Sequence, residues 1–149
     1  MNDPLVKGMW AGILGTIFGD DLIHWSAYFI FKTSTTCHYI TGLMFHTKKT
    51  TDLMSLVSWF VHLIAGAIVG VSLILVLKRF GEDRAYIKGL GVGLIMWIVH
   101  VVIIPNLIAS VQPYVLRTPA EAIVDLIAHI GWSMVATTVI LKPFEKAKF

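Results

Sequence analysis

The chain has 149 residues, 56% of them hydrophobic and 14% charged, with a mean hydropathy of +0.77. Soluble domains carry nearer a quarter of charged residues, so the composition excludes an ordinary soluble domain and fits a chain whose outer surface is apolar because it faces lipid. The net charge of +3 does not argue for nucleic acid, since the basic residues sit at the ends of apolar runs and form no face of their own.

Four stretches are long and apolar enough to cross a bilayer, which takes roughly 20 residues of helix. The first covers residues 5–31. Only Lys7 precedes it, and it contains Asp20, Asp21 and His24. That is not the pattern of a cleaved signal peptide, so the stretch is expected to stay as a first span. The loop from Thr33 to Asp52 follows, and its middle, Tyr39 to Phe45, is apolar enough to lie on the membrane surface. The second span covers residues 53–77, with Lys78, Arg79 and then Gly81 where a helix end is expected. The third covers 86–111, with Pro105 in its last turns. The fourth covers 119–141, opened by Thr118-Pro119-Ala120-Glu121, which reads as an N-cap, a proline at the first helical position and an acid in the first turn. None of the four alternates with the period of a strand. The expected fold is all-α: a single four-transmembrane-helix bundle over residues 1–149.

Basic residues set the expected orientation. With the N-terminus in the cytoplasm, the inner segments hold Lys7, Lys78, Arg79, Arg84, Lys88, Lys142, Lys146 and Lys148, and the outer ones hold Lys32, Lys48, Lys49 and Arg117. The bias places both termini inside. Small residues recur every three or four positions at Gly8, Gly12, Gly15 and Gly19, at Gly66 and Gly70, and at Gly89 and Gly93. Such spacing lets helix backbones approach closely in lipid. The first reading is packing within one bundle; self-association is the alternative.

Each span carries a histidine: His24, His62, His100 and His129. At 1.5 Å per residue they lie roughly 10 to 16 Å from the outer helix ends, in one slab of the membrane. Ionisable groups at that depth are expensive and usually face a bundle interior or cavity. Asp20 precedes His24 by four, with Asp21 flanking the same face, and Glu121, Asp125, His129 and Ser133 form a stripe at the same spacing. Imidazole and carboxylate from facing helices can build a buried site for a divalent transition metal such as zinc or iron. The candidate ligands are His24, His62, His100, His129, Asp20, Asp125 and Glu121. An Asp one turn from a histidine could instead orient its ring. The same residues could relay protons or ions. Alternatively, His62 and His100 could hold a b-type haem for electron transfer. The bland reading is that each histidine is hydrogen-bond glue between helices, in a non-catalytic assembly subunit of a larger membrane complex.

The single cysteine, Cys37, excludes an internal disulfide and any multi-cysteine metal site. Cys37-His38 with His46 could capture a metal at the outer mouth, or be an ordinary loop. There is no phosphate-binding loop, no nucleophile elbow, no His-Glu-x-x-His and no Cys-x-x-Cys. No catalytic residue is assigned, and the pattern argues more against an enzyme than for one; an intramembrane metal-dependent hydrolase would need an open metal position and a cleft reachable from lipid. The partner demanded by the composition is the bilayer itself. A homo-oligomer or a larger complex stays open.

From Ser55 to Leu141 the chain resembles the YagU-like family of small bacterial inner-membrane proteins, with some similarity to YqhR-like proteins. The resemblance is carried by Gly89, Gly91 and Gly93, then Val99-His100, Pro105, Pro119 with Glu121, and Glu121-x-x-x-Asp125-x-x-x-His129-x-x-Trp132. The family tends to have Glu where Asp125 stands, and His62 has a counterpart in its second span. The resemblance implies a multi-pass protein of the bacterial inner (plasma) membrane and brings no established activity.

Overall fold

The structure, a computed structural model, describes residues 3–142. Lys146 and Lys148, counted above in the charge bias, lie outside the described residues. Those described form helices and no strand. Helix α1 (Pro4–Gly15), a π-helical segment (Thr16–Asp21) and α2 (Leu22–Phe31) follow one another without a break, and a short α3 (Thr36–Phe45) follows. Helix α4 (Asp52–Phe80) is the longest. Then come α5 (Ala85–Ile98), a second π-helical segment (Val99–Ile103), α6 (Ile104–Leu107), a single turn α7 (Gln112–Val115), and α8 (Pro119–Leu141). Three helices, Asp52–Phe80, Ala85–Leu107 and Pro119–Leu141, are long and apolar enough to cross a membrane. The first helical run has the length, but Asp20, Asp21 and His24 interrupt its apolar character.

Local chemistry fixes the helix ends. The Asp3 carboxylate accepts from the Leu5 amide at 2.7 Å, with Pro4 at the first helical position. Thr51 caps α4 and Thr118 caps α8, and Glu121 reaches back to close a capping box with Thr118. Gly81 ends α4 with φ of 82°, a conformation that favours glycine.

Helices α1 and α8 are the central pair; α4 lies against α1, and α5 lies against α8. The glycines explain this arrangement. A side chain on Gly12 would run into the Gly66 carbonyl, and one on Gly19 would run into the Gly131 backbone. One on Gly89 or Gly93 would run into the Thr137 or Ser133 hydroxyl. The small-residue stripes read from the sequence are therefore spent inside one chain.

Two expectations are corrected. The third helix ends at Leu107, not Val111. Pro105 has no amide to donate and its ring crowds the preceding turn. The ladder widens before it, the Ile104 amide reaching back five residues to the Val99 carbonyl, and only one helical turn follows. The loop between residues 33 and 52 does not simply lie on a surface either. It folds as α3 and buries Cys37, Tyr39, Ile40, Thr41 and Gly42 against α4 and α7. There Tyr39, Ile40, Val111 and Val115 make a small second core, and the Thr41 and Ser58 hydroxyls pair at 2.8 Å.

Candidate functional site

Both π-helical segments sit where the polar residues gather. In the first, the Gly12 carbonyl receives the Thr16 hydroxyl at 3.0 Å and the Trp132 indole at 3.2 Å. These bonds compete with the regular ladder. The same segment buries the consecutive side chains Asp20 and Asp21, at 3% and 7% exposure. The second holds His100. Single-turn π segments are often found at functional sites.

The side chains of the four long helical runs meet between these segments. Asp20 is the hub. Its Oδ1 lies 3.6 Å from His24 Nε2 and 3.6 Å from His62 Nε2. Its Oδ2 lies 4.0 Å from His129 Nδ1, and the Thr36 hydroxyl donates to Oδ1 at 3.2 Å. Asp21 faces α4: its Oδ1 is 3.2 Å from His62 Nδ1, and its Oδ2 accepts from the Trp59 indole at 3.0 Å. Asp125 faces His24 Nε2 at 3.3 Å through Oδ1 and Arg117 Nε at 2.9 Å through Oδ2. His129 Nδ1 donates to the Asp125 carbonyl at 2.7 Å, and its Nε2 is 3.1 Å from His100 Nδ1. A carbonyl can only accept, so in the neutral rings His129 carries its proton on Nδ1 and His100 donates from Nδ1.

Among the candidate ligands, His24, His62, His129, Asp20 and Asp125 are drawn together, and His100 joins through His129. Glu121 is not. Its carboxylate is spent at the head of α8, accepting from the Thr118 amide and hydroxyl at 2.9 Å each, from the Ser34 amide at 2.9 Å and from the Ser34 hydroxyl. Arg117, which the sequence presents only as a loop charge, joins the cluster. Its side chain is 6% exposed. It pairs with Asp125, donates from Nη1 to the Ser34 hydroxyl at 2.6 Å and stacks on the Tyr39 ring at 4.8 Å. A basic residue two places before the Pro119 helix start was a signal that orientation counting conceals. Asp21, noted beside His24 in the sequence, is a full member.

Among the described residues, Asp20, Asp21 and His62 are a buried group whose donor atoms all lie within 4.8 Å of one another and could hold a metal ion. Two buried ring nitrogens, His24 Nδ1 and His62 Nδ1, have no hydrogen-bond partner, although Asp21 Oδ1 lies 3.2 Å from the latter. Unsatisfied buried polar atoms are costly, and a cation offers such lone pairs a partner. The donor set of imidazole and carboxylate suits zinc or iron.

Haem does not fit. The cavities beside the cluster, about 40 Å³ and 20 Å³, hold a few water-sized molecules and no macrocycle. The trio Cys37, His38 and His46 is also dispersed. His38 closes the N-terminal cap of α3 with Thr35, and His46 stacks on Tyr114. The Cys37 thiol is pushed up to about 11, first by burial and then by the charges of Asp21 and Asp20; a metal takes the thiolate.

Among the described residues the protein is all-helical, with three helices long and apolar enough to span a membrane and a buried Asp/His group. No family model, no curated protein and no solved structure matches the chain.

Proposed function

We propose that this protein is a four-span protein of the bacterial inner membrane, akin to the YagU-like family, that binds one divalent transition metal in its buried Asp/His cluster. In this reading residues 4–31 form the fourth span, and the charge bias puts both termini in the cytoplasm. The exposed apolar side chains of that run, Phe18, Leu22, Phe29 and Ile30, support its contact with lipid.

The observation that carries the metal reading is the charge count. Asp20, Asp21 and Asp125 are all buried. Arg117 is the permanent cation paired with them among the described residues. With neutral imidazoles the cluster holds two uncompensated negative charges, and uncompensated charge in a low-dielectric interior is strongly unfavourable. One divalent cation at Asp20, Asp21 and His62 balances it, with His24, His129 and Asp125 around that group. Elemental analysis of detergent-purified protein tests this. About one zinc or iron per chain is expected, falling on Asp21→Asn or His62→Ala. A stoichiometry near zero, unchanged after adding either metal, removes the reading.

A proton or ion relay is the second reading, favoured by the chain of contacts from Asp21 through His62, Asp20 and His129 to partly buried His100. Two protons on histidines would then supply the missing charge, and proton flux in metal-free liposomes is its measurement.

A further inference from the structure

A second, larger cleft opens at the end of the bundle where α4 begins. Its volume is about 570 Å³, within the range of ordinary ligand sites, roughly 300 to 1,000 Å³. Trp25 lines it from α2, Thr35, Cys37 and His38 from the start of α3, and Asp52, Ser55, Leu56 and Trp59 from α4. Asp52 is the first residue of α4 and is exposed. Trp59 stands seven residues further on, about 10 Å along the helix at 1.5 Å per residue. The cleft therefore runs from an exposed carboxylate at its rim to an indole about two helical turns deeper.

The two tryptophans are held in place. Trp25 stacks on Phe29 at 6.0 Å and meets Tyr28 edge-on at 6.1 Å. Trp59 donates its indole N–H inward to the Asp21 carboxylate at 3.0 Å. A tryptophan of an interfacial belt keeps its N–H at the wet headgroup level; Trp59 commits it to a buried carboxylate instead. Among the described residues the two indoles make no ring contact with each other.

Charge at the cleft has one sign. No lysine or arginine lines it. Burial, and then the Arg117 charge, hold the His38 imidazole below its ordinary range, so it is neutral at pH 7. The Asp52 carboxylate makes no ion pair and no hydrogen bond among the described residues, because the Thr51 hydroxyl caps the helix through the Met54 amide. Cys37, His38 and Asp52 do not form a metal-binding group. Two indoles with one free carboxylate suit a cation of another kind. A quaternary ammonium spreads its charge over apolar methyl groups and is recognised by aromatic faces, with the carboxylate balancing its charge. We propose that this cleft is a binding site for a trimethylammonium group, seated on Trp25 and Trp59 with Asp52 as its counter-charge. The group can belong to free choline or to a phosphatidylcholine headgroup. The proposal goes beyond the metal reading, and it holds with the Asp/His cluster loaded or empty, because Trp25 and Asp52 are not members of that cluster.

Fluorine NMR of the whole protein labelled with fluorotryptophan, in maltoside micelles with EDTA present, tests it. The probe is choline, and its uncharged carbon isostere, dimethylbutanol, is the control. Choline should shift the Trp25 and Trp59 signals saturably and leave Trp10 and Trp97, which do not line the cleft, unmoved. Dimethylbutanol should bind at least about tenfold more weakly, the loss of a desolvated cation–π contact. Trp25→Leu and Asp52→Asn should each weaken choline binding about fivefold, with an unchanged Trp97 signal reporting an intact fold. Nanodiscs separate the two sources. A lower apparent choline affinity in phosphatidylcholine than in phosphatidylglycerol assigns the site to the lipid head, and equal affinity assigns it to the free cation. Equal binding of dimethylbutanol, shifts at Trp10 and Trp97 as large as those at Trp25, or no saturable shift in the unmodified protein overturns the proposal whatever the variants do. A failed metal analysis would leave it standing.

Discussion

At the Pro4 end of the bundle, helices meet mainly through glycines and apolar side chains; at the Phe31 end they meet through charges. In the first region Ala11, Leu73, Leu77, Ala136 and Ile140 form a dry core, and Gly8 and Gly12 lie directly on Gly70 and Gly66. In the second, Asp20, Asp21, Asp125, Arg117 and the histidines hold the first π-helical segment, α2, α4, the link before α8 and α8 together through contacts of 2.9 to 4.0 Å. Lipid tails are as apolar as leucine, so the dry region has no hydrophobic drive and depends on close van der Waals fit. The polar region depends on charge balance. A fit tolerates deletion better than insertion, whereas a charge network tolerates neither partner being removed alone.

The largest effect is therefore expected in the polar region. Arg117→Met leaves the Asp125 carboxylate buried with only His24 beside it, and should cost about 3–5 kcal/mol in reversible unfolding from mixed micelles. Adding Asp125→Asn should recover most of the loss. A single variant as stable as the parent would show that the charges do not hold this end together. Next comes Gly12→Leu, which forces α1 off the Gly66 carbonyl; overpacking should cost about 3 kcal/mol. Gly91 has open space around it, and Gly91→Leu should change stability by no more than about 0.5 kcal/mol. Equal losses at the two glycines would remove the close-fit account of the dry end. A smaller loss in the polar region sharpens the comparison: Trp59→Phe keeps much of the ring's bulk but removes the indole donor from Asp21, and should cost about 2 kcal/mol, the value of a hydrogen bond to a charged group.

The sequence reading reached different depths in the two regions. Glycine spacing at Gly8, Gly12, Gly66 and Gly70 announced close helix contact, because a three-to-four-residue repeat is a local property of one helix face. The common depth of His24, His62, His100 and His129 followed from counting residues along helices of known rise. Glu121 shows the limit of stripes. It shares a face with Asp125 and His129, yet its place in the first turn of α8 commits it to the cap. Arg117 and Tyr39 were invisible as site residues, because they reach Asp125 and His100 only after α3 and α7 fold back onto the bundle. Likewise Pro105 marked a weak point in the third helix, but the π-helical segment before it, which carries His100, depends on hydrogen bonds that no pattern of residue types encodes.

By itself, the sequence determined that the chain is helical and apolar on its outside, that its polar side chains lie at one level, and where most of the helices begin. These are consequences of composition and of the fixed geometry of a helix. Tertiary structure alone decided which carboxylates face which imidazoles, that Arg117 rather than Glu121 completes the cluster, and that Trp25, Trp59 and Asp52 line one cleft. Those outcomes depend on distances between segments far apart in the chain, which are set only when the backbones have come together.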